Sequence, residues 1–128
     1  MGFSSVEDVR AIEQETPWSE RDLPATLYDL LDKTASKMPD ANAVSFQLMS
    51  GANSKAETLS WSHLRAQVTQ AANLFSRLGI GENDVVAFVL PNSMETVVAL
   101  LGGAVAGIVS PINPLLSPEH IGGLLRET

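Results

Sequence analysis

The chain contains no cysteine, and only eight of its 128 residues are lysine or arginine. The first absence excludes a disulfide framework, a thiolate zinc site and a cysteine nucleophile from these residues. The second leaves the basic residues scattered singly against fifteen acids, for a formal charge of −7. Binding to nucleic acid requires a basic stripe that displaces condensed counterions, so a nucleic-acid role is excluded. The longest apolar stretch, Val97 to Val109, runs for thirteen residues; a helix spanning a bilayer needs about 20. The N-terminus, MGFSSVEDVRAIEQE, has neither a basic n-region nor an apolar h-region and is not a secretory signal. Met1-Gly2 followed by Ser5 loosely matches a myristoylation start, but an acidic continuation without a polybasic patch opposes that reading. A cytoplasmic protein is the resulting expectation.

A hydrophobic fraction of 45% is enough for one globular domain with its own core. Residues 5–15 read as a short acidic helix, and 17–25, with two prolines, as an extended arm. Leu27, Leu30, Leu31, Thr34, Ala35 and Met38 recur at three- and four-residue spacings, which predicts an amphipathic helix. Thr26 and Asp29 are placed to cap it. Residues 43–48 alternate in the strand manner, and 57–60 read as the returning half of a hairpin. A second amphipathic helix covers 62–78, with Gly79 as its C′ residue.

Residues 85–90, VVAFVL, suit a strand buried on both faces. Asn92 and Glu95 stand at N-cap and N3 spacing for a helix from about Ser93 to Ala106, which Gly107 ends. A strand over 108–112 follows, and Ser117-Pro118-Glu119 opens a last helix with proline at N1. Residues 85–112 are thus a right-handed βαβ unit. Gly102, Gly103 and Gly107 lie late in its helix, whereas a phosphate-cradling glycine loop must sit at a helix N-terminus. They read instead as close-approach positions against the sheet, and a dinucleotide-binding domain is a poor fit.

Each candidate for chemistry has a bland counterpart. His63 and His120 stand near helix starts with no triad spacing around them. Ser93 follows a strand, but within Pro-Asn-Ser-Met-Glu rather than Gly-x-Ser-x-Gly. Glu7, Asp8, Glu13, Glu15, Glu20 and Asp22 make the N-terminal arm acidic, either for a partner or simply for solvent. Trp18 and Trp61 offer stacking faces, with packing as the alternative for Trp61. Pro111-Ile112-Asn113-Pro114 lies at the C-terminal end of a parallel strand, the edge where open α/β sheets bind ligands; a plain strand exit is its other reading.

Several stretches together resemble the adenylate-forming acyl-CoA synthetases. This is the family of AMP-binding ligases that includes fatty-acid–CoA ligases, luciferases and peptide-synthetase adenylation domains. The stretches are Leu-Gly-Ile-x-x-x-Asp-x-Val-Ala from Leu78 to Ala87, Leu-Pro-Asn-Ser-x-Glu from Leu90 to Glu95, Ala-Gly-Ile-Val from Ala106 to Val109, and Pro-Ile-Asn-Pro-x-Leu from Pro111 to Leu116. TLYDLLDKTASKMPDANAVSF and TLSWSHLRAQVTQAANLFSRLG fall where the family has its first helix, hairpin and second helix, so the likeness covers about residues 24–128. His63 replaces the usual acidic residue at the second helix.

The resemblance implies an α/β fold, with a small mixed sheet from 43–48, 57–60, 85–90 and 108–112 flanked by helices. Residues 1–25 would be an acidic arm and 26–128 an incomplete subdomain of an AMP-binding domain. It implies a parent ligase that joins a carboxylic acid to CoA. The acid attacks the ATP α-phosphate with Mg2+, pyrophosphate leaves, and the CoA thiol then displaces AMP from acyl-AMP. The family's phosphate loop with Pro-Lys-Gly, its aromatic-Thr-Glu motif and its catalytic lysine come later than residue 128. The 128 residues are accordingly expected to be an N-terminal piece, inactive and ligand-free alone, and self-associating through exposed apolar surface. In some members the loop equivalent to Asn113-Pro114-Leu115 approaches the CoA entrance; Asn113 and Pro114 are the site residues this implies, with no catalytic or metal-binding residue. The competing expectation is a complete small α/β interaction module.

Overall fold

The computed structural model describes residues 5–49, 51 and 53–128; the Met1-Gly2 start and part of the 50–55 loop lie outside them. The element order is α1 (Val6–Glu15), a 3-10 turn (Trp18–Glu20), α2 (Leu27–Lys37), β1 (Asn42–Phe46), β2 (Glu57–Ser60), α3 (Trp61–Arg77), β3 (Val85–Val89), α4 (Met94–Ala106), β4 (Ile108–Ile112) and α5 (Pro118–Glu127).

Local chemistry sets the helix ends. In α2 the Asp29 N–H donates to Thr26 Oγ1 at 3.0 Å, and the Thr26 N–H donates to the Asp29 carboxylate at 3.2 Å. Ser5 and Asp8 make the same reciprocal pair at the start of α1. Ser60 and Ser117 cap α3 and α5, and Pro118 occupies the first turn of α5. Gly79, at φ 93°, carries the chain out of α3 in the left-handed conformation that favours glycine.

The strands form two separate two-stranded sheets rather than one mixed sheet. β1 and β2 pair antiparallel, with an irregularity between Asn42 and Val44. β3 and β4 pair parallel, Val85 opposite Ile108 through Val89 opposite Ile112. α4 contacts β1 of the first sheet and both β3 and β4 of the second. β1 also stops at Phe46, short of Leu48. The Gln47 side-chain amide donates to the Gly51 and Ser54 carbonyls and ties the turn, leaving Leu48 exposed. β3, expected to be buried on both faces, is only partly so: Val86 is buried, while Val89 at its end is exposed.

The core is the cluster of Leu31, Leu64 and Val68, with Val44, Leu59, Trp61, Val97, Val98, Leu101 and Val105 packed around it. It draws on α2, β1, β2, α3 and α4 together. Two polar links stitch α2 to α3: Tyr28 Oη with Thr69 Oγ1, and Arg65 with Asp32, each at 2.8 Å.

The glycines of α4 set its distances to its neighbours. A Cβ at Gly102 would lie 2.6 Å from Ala71 Cβ on α3, and one at Gly103 would lie 3.1–3.3 Å from Val109 and Val86. Gly103 makes the close approach to the sheet that the sequence suggests; Gly102 makes one to α3. At Gly107 the obstruction is backbone, the carbonyls of Gly81 and Asp84 at 2.5 and 2.6 Å. Gly102→Ala therefore forces α3 and α4 apart at a cost of about 1–3 kcal/mol, which exceeds the roughly 1 kcal/mol gained in helix propensity. The urea midpoint should fall. Gly123→Ala, in α5 with nothing within 4 Å of the added carbon, should instead raise helicity at 222 nm.

Candidate ligand-binding edge of the parallel strands

β3 and β4 run parallel, so their C-terminal ends open on the same side, and the chain turns there into α4 and into the loop before α5. Leu90, Pro91 and Asn92 after β3 meet Asn113, Pro114 and Leu115 after β4 around a cavity of about 270 Å³. The structure thus brings Asn113 and Pro114 together with the Pro-Asn-Ser turn. Asn113 Oδ1 accepts the Leu115 N–H at 2.9 Å, and the Asn113 carbonyl accepts the Leu116 N–H. The loop is held by its own side-chain amide.

The adjoining N-terminus of α4 is already filled. Ser93, rather than Asn92, is the N-cap: its Oγ accepts the Thr96 N–H at 3.3 Å, and the Thr96 hydroxyl donates to the Pro91 carbonyl. The Glu95 carboxyl is held below its ordinary range, first by its own backbone N–H and then by the Ser93 hydroxyl. The start of α5 repeats the arrangement, with Glu119 lowered by its own N–H and by Ser117. At each of these two helix starts a capping serine takes the third backbone N–H, from Thr96 and from His120, and a carboxylate lies in the first turn.

The cavity lining is uncharged: two prolines, two asparagines and two leucines. Proline offers no N–H, no lysine or arginine lines the cavity, and Glu95 beside it repels anions. Among the described residues, no group of three or more His, Asp or Glu is placed to hold a metal ion.

The other candidates fall elsewhere. His63 and His120 each donate a backbone N–H to a capping serine, Ser60 and Ser117. Ser93 is a cap. Trp61 packs against the core, and Trp18 lies exposed with the Arg21 guanidinium 5.5 Å from its ring centroid. The acidic arm is exposed, with Asp22 bridged to Lys33 of α2 at 2.8 Å. Sequence reasoning missed a second concavity, an apolar groove of about 450 Å³ between α2, β1, α3 and α4. Its signal was the width of the apolar stripe on α2, where Leu27 and Leu30 extend beyond the face that the core covers. No described helix is long and apolar enough to cross a membrane.

Comparison with known proteins places this architecture. A family model described as AMP-binding enzyme matches residues 31–128. The chain is 39% identical to a marinolic acid–CoA ligase of Pseudoalteromonas over 97% of its own length and 19% of the relative's. It is 31% identical to a long-chain-fatty-acid–AMP ligase of Mycobacterium marinum over 81% of its length and 17% of the relative's. Among solved structures, Klebsiella oxytoca NpsA in complex with 3-hydroxyanthranilyl-AMSN superposes with a TM-score of 0.68 at 19% identity, covering 81% of this chain and 20% of that one. The chain thus spans about a fifth of the length of these relatives.

Because the lowered Glu95 and Glu119 carboxyls are held by contacts made only in the folded state, their stabilisation is complete above the ordinary glutamate value of 4.5. It is lost as pH falls through the lowered values. Between pH 5 and 3 the urea midpoint should fall, and the double variant Glu95→Gln/Glu119→Gln should show a shallower fall over that window.

Proposed function

Given that the chain belongs to the AMP-binding enzyme family, we propose that it is the N-terminal scaffold of an ATP-dependent acid–CoA ligase. The observation that carries the reading is the 39% identity to an acid–CoA ligase across nearly the whole chain, including the arm and first helix that precede the family match. The reaction proposed for the parent joins a carboxylic acid to CoA through acyl-AMP, releasing pyrophosphate and then AMP. In this reading the 128 residues alone do not turn over. The groups that bind ATP and Mg2+ come from the remainder of the ligase, in keeping with an edge whose helix N-termini are self-capped. The Asn113–Pro114 loop borders the CoA entrance, and its aliphatic and amide lining suits an uncharged pantetheine arm better than a phosphate.

The test is to express the full reading frame and follow pyrophosphate, AMP and acyl-CoA with a panel of aliphatic and aromatic acids. CoA-dependent AMP release is expected, with none from residues 1–128 alone. Accumulation of acyl-AMP without thioester would move the parent to the acid–AMP ligases. A second expectation concerns the isolated chain. Among the described strands, β3 and β4 each have one paired edge, and Ile108 at the start of β4 is 51% exposed. Such edges pair with other edges, so light scattering at micromolar concentration should report species larger than a monomer.

A further inference from the structure

The two walls of the cavity at the C-terminal edge of the parallel strands are held in different ways. Val89 opposite Ile112 is the last rung of the β3–β4 ladder, and beyond it the two loops part around the cavity. The loop after β4 carries its own lock. Asn113 Oδ1 accepts the Leu115 N–H at 2.9 Å, and the Asn113 carbonyl accepts the Leu116 N–H at 3.3 Å. The loop after β3 has no such internal bond. Pro91 has no N–H to donate, and among the described residues no backbone N–H reaches its carbonyl. That carbonyl is instead bonded from outside the loop, by the hydroxyl of Thr96 in the first turn of α4.

We propose that Thr96 is a positioning residue for the ligand at this edge: its hydroxyl fastens the Leu90–Pro91–Asn92 wall to α4 and so fixes the width of the opening opposite Asn113 and Pro114. The ligand is the pantetheine arm of the proposed ligase reaction, and the inference rests on that reading. Thr96 does not line the cavity, so it acts through Pro91. Its bond is unlike those of the other helical threonines. Thr34 and Thr69 return their hydroxyls to carbonyls four residues earlier in their own helices, Leu30 and Arg65. The Thr96 hydroxyl reaches five residues back, past the Ser93 N-cap and into the loop. Threonine is a weak helix former, so this bond, rather than propensity, accounts for its place in the first turn. The side chain is also held where it must be. Its N–H donates to Ser93 Oγ at 3.3 Å, its hydroxyl stands 3.2 Å from the same oxygen, and branching at Cβ restricts its rotation. The helix that carries it is anchored at that end by the buried Met94.

The variants belong in the protein from the full reading frame, where ATP–pyrophosphate exchange reads acyl-AMP formation and thioester release reads the CoA step. Thr96→Val keeps the side-chain shape and the N–H that Ser93 caps, and removes only the hydroxyl. It should raise KM for CoA about two- to tenfold, the range expected for one lost hydrogen bond, with the exchange rate and KM for ATP unchanged. Thr96→Ser keeps the hydroxyl and should restore KM for CoA. Thr26→Ala removes the cap of α2, far along the chain, at a comparable cost in stability. It should lower the urea midpoint and leave KM for CoA where it was, which separates positioning from general loosening. An unchanged KM for CoA in Thr96→Val, no rescue by Thr96→Ser, or an equal rise in Thr26→Ala would each overturn the positioning role. A wild-type protein that forms no thioester would overturn the ligase reading and the inference with it.

Discussion

The structure depends on how closely α4 approaches its neighbours. Most of its thirteen residues are apolar; Met94, Gly102 and Gly103 are buried, while Glu95 and Leu100 are exposed. Gly102 lets α3 approach on one flank, and Gly103 lets the β3–β4 pair approach on the other. Everything else is arranged around those contacts. The β1–β2 hairpin and α2 pack with α4 on the α3 side, and the parallel pair exists because α4 is the crossover that connects its strands. α4 touches both sheets, β1 of the one and β3 and β4 of the other.

The same arrangement explains why the C-terminal edge of the parallel strands is built as a frame. Where a phosphate-binding α/β unit leaves helix N–H groups open, this one closes them with Ser93 and Glu95, and again with Ser117 and Glu119. The edge retains shape and amide chemistry without charge.

Much of this was legible in the sequence because it is local. The Thr26–Asp29 box, Pro118 at the head of α5 and Gly79 after α3 are written in spacings of a few residues, and the structure has each of them. The N-cap of α4 falls on Ser93, one residue after Asn92, because adjacent polar residues offer the same cap at a pitch that sequence cannot resolve. Alternation in residues 43–48 marks a strand without naming its neighbour, so the split into two sheets was not readable. Nor was the groove, which is formed by four elements distant in sequence. Asn113 and Pro114 could be placed at a strand end from the sequence; their meeting with Leu90–Asn92 depends on the register of the parallel pair.

The position of α4 in the chain has a consequence for synthesis. A helix this apolar is a hazard while a polypeptide is still emerging from the ribosome, since uncovered apolar surface seeks other chains. Yet the elements that contact α4 are α2, β1, α3 and β3, all translated before it, and β4, which follows directly after Gly107. By the time Ile112 clears the exit tunnel, each of these contacting elements has already been made.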